Sequence, residues 1–212
     1  GKTDAENRVM INTIAPVWDG NQVWLITGGG AIFAAWPAVY ATAFSGFYIA
    51  MFLVLVSLIL RPVSLEYRNK FEGKARKAWD WALFTSGLIP PLVFGVAFGN
   101  LFLGVPFQFD EFKQPHYVDG FLMSFIHLLM PFALLTGLVS VAMHAGHGAA
   151  YLAAKTTGPV QEKAKKTIPI AYGIWLVLFI IGGIWVGKIG GFTITSQIDP
   201  NGLSDPTAKT VI

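Results

Sequence analysis

Apolar residues fall in long unbroken blocks along this chain, not at helical or strand spacing. Residues 20–60 contain no Asp, Glu, Lys, Arg or His, an uncharged run of 41 residues. A bilayer-crossing helix needs only ~20 predominantly apolar residues. One straight helix over this run would measure ~60 Å against a ~30 Å hydrocarbon core. The block therefore predicts a hairpin of two spans, about 18–38 and 42–60, with Pro37 ending or kinking the first and a turn near 39–45. Three later blocks predict one span each: 81–103, 120–145 and 167–187. Pro90-Pro91 should kink or break the third, and Pro131 interrupts the fourth.

The polar stretches between the blocks orient them. Residues 61–77 hold Arg61, Arg68, Lys70, Lys74, Arg76 and Lys77 against Glu66 and Glu72. Residues 155–166 hold Lys155, Lys163, Lys165 and Lys166 against Glu162. Residues 110–119 are acidic, with Asp110, Glu111 and Asp119 against Lys113. Lys/Arg-rich loops stay on the cytoplasmic side, so the two basic loops are predicted there and the acidic loop outside. Two spans between 18 and 61 then put Asp19 on the cytoplasmic side. The resulting organisation is a cytoplasmic-side lead-in (1–17), a transmembrane helical region (18–188) and a polar periplasmic segment (189–212).

Composition agrees with this pattern. Only 13% of residues are charged and mean hydropathy is +0.56, where soluble domains average about 25% charged. The fold class predicted is an all-α integral membrane protein, a transmembrane helix bundle of about five spans. The absence of cysteine excludes disulfides, thiolate-held metals and iron–sulfur clusters. The basic loops are explained by topology and imply no nucleic acid. A first residue other than Met and an end without a capping signal suggest an internal piece of a longer polypeptide, with a trimmed initiator as the alternative.

Candidate chemistry gathers at the mouth of the uncharged hairpin, in Asp19, Asn21 and Gln22. An acid where a chain enters lipid is costly unless it meets water, protein or a proton path; it can also serve as a helix cap. Glu66 is a second acid, for which a solvated pair with Arg68 or Lys70 is the favoured explanation. Asp80, between Trp79 and Trp81, reads as an interface residue or cap. Trp24 shares a helical face with Gly20 and Gly28 and can be a packing anchor, while Gly28-Gly29-Gly30 allows close helix approach or a flexible break. His144 and His147 are spaced to hold a metal or haem, with His127 in the same block, but no third ligand accompanies them. A secondary transporter with proline-broken helices is the alternative function, although such a protein needs ionisable groups at mid-membrane and only His127 qualifies.

The runs Trp18-Asp19-Gly20-Asn21-Gln22-Val23-Trp24-Leu25, Phe33-Ala34-Ala35-Trp36-Pro37 and Ala43-Phe44-Ser45-Gly46-Phe47-Tyr48 resemble subunit II of bacterial cytochrome bd ubiquinol oxidases. So do Leu60-Arg61-Pro62-Val63, Trp79-Asp80-Trp81 and Gly95-Val96-Ala97-Phe98-Gly99-Asn100. The likeness covers residues 7–188. It implies the second to sixth of about nine family helices. It also implies a non-haem subunit of a respiratory oxidoreductase of the bacterial inner membrane, which oxidises quinol, reduces dioxygen to water and takes part in electron transport. The resemblance places Asp19 and Glu66 on a proton path, the latter where the family often has Asp, and Trp24 on an oxygen route entering from lipid. It implies no catalytic residue, metal ligand or cofactor ligand in this chain. Haem b, haem d and the quinol site are expected on the partner, subunit I, and a small accessory subunit can join them.

Overall fold

The computed structural model describes residues 3–105, 107–109, 115–117 and 121–190. Its helices are α1 (Asp4–Ile14), α2 (Trp18–Ala35), α3 (Pro37–Gly46), α4 (Tyr48–Tyr67), α5 (Gly73–Leu103), α6 (Phe121–His127), α7 (Pro131–Lys155) and α8 (Gly158–Val186). The fold is all-helical apart from two three-residue strands, β1 (Phe107–Phe109) and β2 (Pro115–Tyr117), which pair antiparallel with Phe107 opposite Tyr117. Most of the acidic stretch 110–119 and of the segment 189–212 lies outside the described residues.

Four stretches are long and apolar enough to cross a membrane: Tyr48–Lys70, Gly73–Leu103, Pro131–Lys155 and Gly158–Val186. They stack in the order α4, α5, α7, α8. Three of the spans extend past the limits read from uncharged runs, with Arg61 inside α4, Lys74, Arg76 and Lys77 inside α5, and Lys163, Lys165 and Lys166 inside α8. The expected fourth span divides into α6 and α7, since Pro131 opens α7 at its first turn. The expected turn at 39–45 is instead helix α3, bounded by non-helical backbone at Trp36 and Phe47. Pro37 serves as the first residue of that helix. The leading stretch forms α2 over 18 residues. Asp19, Asn21 and Gln22 leave it only the residues from 23 to 35 as a mostly apolar run, short of the ~20 needed to cross alone.

Of the two outcomes expected at Pro90-Pro91, a kink or a break, the break does not occur: α5 runs through both prolines. Pro90 cannot donate to the carbonyl of Ser86, four residues back. Arg61 Nη2 of α4 donates to that carbonyl at 2.7 Å, so the group the proline orphans is bonded from another helix.

Small residues let α5 and α7 touch along their backbones. A Cβ on Gly99 would stand 2.1 Å from Thr136 Oγ1 and 2.7 Å from Ala133 Cα. One on Gly95 would stand 2.6 Å from the Thr136 carbonyl. Asn100, next along α5, is buried and donates from Nδ2 to the carbonyls of Val96 and Leu128, both at 2.8 Å. It thereby ties α5 to the break between α6 and α7. Large apolar side chains face outward: Ile170, Ile174, Val177, Ile181 and Ile184 form an exposed stripe on α8, the arrangement that lipid solvates.

Three contacts fix α1 at one end of this bundle. Asp4 pairs with Arg68, just past α4; Lys163 of α8 holds Glu6 at 2.7 Å; and Tyr151 of α7 donates to the Thr13 carbonyl at 3.1 Å. That end carries the basic loops. Helix α4 starts at the opposite end, where α3 also meets β2. Residues 18–46 therefore connect the basic end of the bundle to the other.

Candidate functional site

Helix α1 carries the geometry of the basic end. The Thr3 hydroxyl accepts the Glu6 N–H at 3.3 Å, and Asp4 and Glu6 occupy the first turn. Thr3-Asp4-Ala5-Glu6 is a capping-box pattern, a signal that identifies this helix in a stretch otherwise read only as a surface lead-in.

Arg68 is the most buried charged residue, with 1% of its surface exposed. Its Nε donates to Asp80 Oδ1 and its Nη2 to Asp4 Oδ1 at 2.8 Å, while Nη1 has no partner. Asp4 Oδ2 also meets Arg8 Nε at 3.0 Å and Arg76 Nη1 at 3.3 Å. Two carboxylates thus hold three guanidinium groups and join α1, α4 and α5. The hydrogen bond from Arg68, with the charges of Arg68, Arg76 and Arg8, holds the Asp4 carboxyl below its ordinary value of 3.8, outweighing partial desolvation. The stabilisation linked to this shift is fully present above the ordinary value and is lost as pH falls through the lowered one. Asp80 is therefore the acceptor of a buried arginine, a role that its setting between two tryptophans did not reveal. Trp79 stacks on Tyr67 and Phe71, with ring centroids 5.7 and 6.4 Å away, while Trp81 faces outward.

Asp19 lies in the first turn of α2 and is exposed. It is not the cap; Val17 holds that position, and no side chain caps the helix. A carboxylate there is favoured by the helix dipole. One turn further, Gln22 Oε1 is buried without a hydrogen-bond partner. Because α1 is anchored at the basic end, so is the start of α2. Glu66 stands on the last turn of α4 at the same end, exposed and paired with Lys70 at 3.0 Å. Among the described residues no hydrogen bond or ion pair joins Asp19 to Glu66. Trp24 is 76% exposed, and α2 has no buried residue along its length.

His144 Nδ1 donates to the Ser140 carbonyl of its own helix at 2.8 Å, and His147 is exposed. Among the described residues no group of three or more His, Cys, Asp or Glu converges on a metal-sized site. A cavity of about 340 Å³ among α1, α7 and α8 has the Glu6–Lys163 pair on its wall, and another of about 180 Å³ faces α4 and α5. Neither is lined by histidine. Of the two proline sites on which the transporter alternative rests, Pro90-Pro91 leaves α5 continuous, whereas Pro131 opens α7 after a break.

Comparison with known proteins gives a consistent result. The model of the family described as "Cytochrome bd terminal oxidase subunit II" matches residues 1–198. "Probable cytochrome oxidase subunit 2" of Haemophilus influenzae is 52% identical over the whole chain, covering 55% of that protein. "Cytochrome bd-I ubiquinol oxidase subunit 2" of Escherichia coli strain K12 is 50% identical, again over the whole chain and 55% of the relative. "Cytochrome bd ubiquinol oxidase subunit 2" of Bacillus subtilis is 40% identical over 84% of this chain and 50% of its own length. The chain spans about half the length of the curated relatives it matches. With its multi-pass helical architecture and this match over nearly its entire length, the chain belongs to the cytochrome bd terminal oxidase subunit II family.

Proposed function

We propose that the chain acts in the non-haem subunit of a bacterial inner-membrane oxidase that oxidises quinol and reduces dioxygen to water. Its contributions are proton uptake, oxygen access and assembly with a haem-bearing partner. Haem b and haem d, and the quinol site, are assigned to that partner. The family match supports this reading, and one structural observation carries it for this chain. Asp19 lies in the first turn of α2 at the basic end of the bundle, and Gln22, one turn further on the same helix, has a buried, unpartnered side-chain oxygen.

Reduction of dioxygen to water consumes protons. Asp19 takes a proton from water at the basic end, which the Lys/Arg rule assigns to the cytoplasm. Gln22 Oε1 is placed to hold a water that receives it, because a buried carbonyl without a partner costs free energy that water relieves. Glu66, already held by Lys70, feeds the entrance from its rim. Residues 18–46 form one broken crossing, α2 and α3 together, and with the four long helices make five. Trp24 lies on the outer side of that crossing, where dioxygen dissolved in lipid arrives.

The test is the visible spectrum of the complex purified with and without the haem-bearing partner. Haem b and d bands are expected only with the partner present. Bands from the isolated subunit would overturn the assignment.

A further inference from the structure

We propose that Tyr151 is a positioning residue for proton uptake: its hydroxyl fixes where α2 begins and so holds Asp19 at the entrance. The inference rests on the proton-path reading above. Helix α2 has little else to place it. Apart from the Gln22 side-chain oxygen nothing along it is buried, and among the described residues no hydrogen bond or ion pair links it to α4, α5, α7 or α8. Its start is set by α1, to which residues 15–17 join it.

The last carbonyls of a helix have no partner within it. At the end of α1 the Ile11 carbonyl accepts from Ala15 N at 2.9 Å, and the Ile14 carbonyl from Val17 N at 3.0 Å. Were α1 to continue, Val17 N would instead meet the Thr13 carbonyl, since helical N–H groups bond four residues back. The tighter bond to Ile14 turns the chain, and Asn21 N takes the Val17 carbonyl at 3.2 Å as α2 begins. That turn leaves over the Thr13 carbonyl, which accepts from the Tyr151 hydroxyl at 3.1 Å. Tyr151 thus caps α1 from α7, a helix packed against both α5 and α8. Without the hydroxyl, the Thr13 carbonyl is open to Val17 N–H in helical register, which would wind α1 onward and rotate the start of α2. The other anchors of α1, Asp4 to Arg68 and Glu6 to Lys163, grip its first turn, at the end away from α2.

The test uses the purified oxidase complex containing this chain. Tyr151→Phe removes the hydroxyl and keeps the ring. It should assemble with normal haem content and consume oxygen about threefold more slowly, short of the ~100-fold that a full 1 Å misplacement can cost. In an Asp19→Asn background it should cost nothing further, because a residue that acts through Asp19 loses its effect once the titratable group is gone. A merely structural role would show no such coupling. This chain has no cysteine, so spin labels at Val23→Cys and Ala154→Cys, in a complex with any other cysteines replaced, report the distance from α2 to α7. That distance should broaden in Tyr151→Phe, while one between labels at Lys74→Cys and Ala154→Cys should not. Unchanged turnover, a loss that adds in full to that of Asp19→Asn, or an unmoved distance from α2 to α7 would each overturn the proposal. Tyr151→Leu is a second variant without the hydroxyl should Tyr151→Phe not assemble; failure of both would make Tyr151 an assembly residue and overturn it too. Wild-type turnover in Asp19→Asn itself would instead overturn the proton-path reading, and the proposal with it.

Discussion

The α5–α7 crossing and helix α2 are built on opposite principles. The crossing brings backbones into contact through Gly95, Gly99 and Gly137, with no room for a further carbon atom. Helix α2 also carries glycines, Gly20, Gly28, Gly29 and Gly30, yet among the described residues nothing beyond the helix's own neighbouring backbone lies within 4 Å of a Cβ built on any of them. The same residue type is filled space in one region and open surface in the other. Substitutions in the crossing should therefore be read as assembly, whereas those in α2 should be read as turnover.

The largest effect that would sharpen this contrast is Gly99→Leu. The new side chain has no space between Thr136 and Ala133. Overpacking of this kind costs about 1–3 kcal/mol or more, and the complex is expected not to assemble. Yield of the complex in mild detergent checks it. Gly29→Ala in α2, by contrast, should assemble normally.

Arg68→Met comes next. It leaves Asp80 and Asp4 without their buried partner. Breaking a fully buried pair costs about 3–5 kcal/mol, and because both acids are partly exposed the loss expected is about 2 kcal/mol. Thermal unfolding of the purified complex should show it, with turnover of the surviving molecules intact. Turnover that collapses at unchanged stability would break the contrast.

Asp19→Asn tests the other side. It keeps shape and removes the titratable group. We expect normal assembly and haem content with oxygen consumption lowered about tenfold, equivalent to ~1.4 kcal/mol in the barrier, and partial recovery in Asp19→Glu. Wild-type turnover across pH 6 to 9 would remove Asp19 from the proton path. A smaller effect is expected of Trp24→Ala: slower oxygen binding, with quinol oxidation at saturating oxygen nearly intact. Loss of haem d from that variant would show an assembly anchor instead. Smallest is Glu66→Gln, whose exposed pair with Lys70 is worth ~0–1 kcal/mol; stability should not move, and a drop in turnover would be the evidence that Glu66 feeds the path.

The long helices were legible because lipid demands runs of uncharged residues. Their ends were not, since helix α5 begins eight residues before its uncharged run, carrying Lys74, Arg76, Lys77 and Asp80 within it. Helix α3 escaped because residues 37–46 are uncharged and look like any other part of the block; only Trp36 and Phe47, in non-helical backbone, mark its limits. At the candidate site, the pairing of Glu66 with Lys70 follows from helical spacing alone. The choice of Asp80 and Asp4 by Arg68 does not, because one partner lies 64 residues away and depends on how α1 docks.

The bond from Arg61 to the Ser86 carbonyl bears on biogenesis. Unsatisfied backbone groups in hydrocarbon cost several kcal/mol each, so α5 entering a membrane by itself would carry an open carbonyl beside Pro90. Helix α4 leaves the ribosome first and already holds the guanidinium that closes it. The two are therefore expected to pass from the translocon as a pair. Glycosylation mapping of α5 insertion should then show lower efficiency for α5 alone, or behind an α4 bearing Arg61→Leu, than behind the native helix. Equal insertion in all three would show that the carbonyl finds another donor.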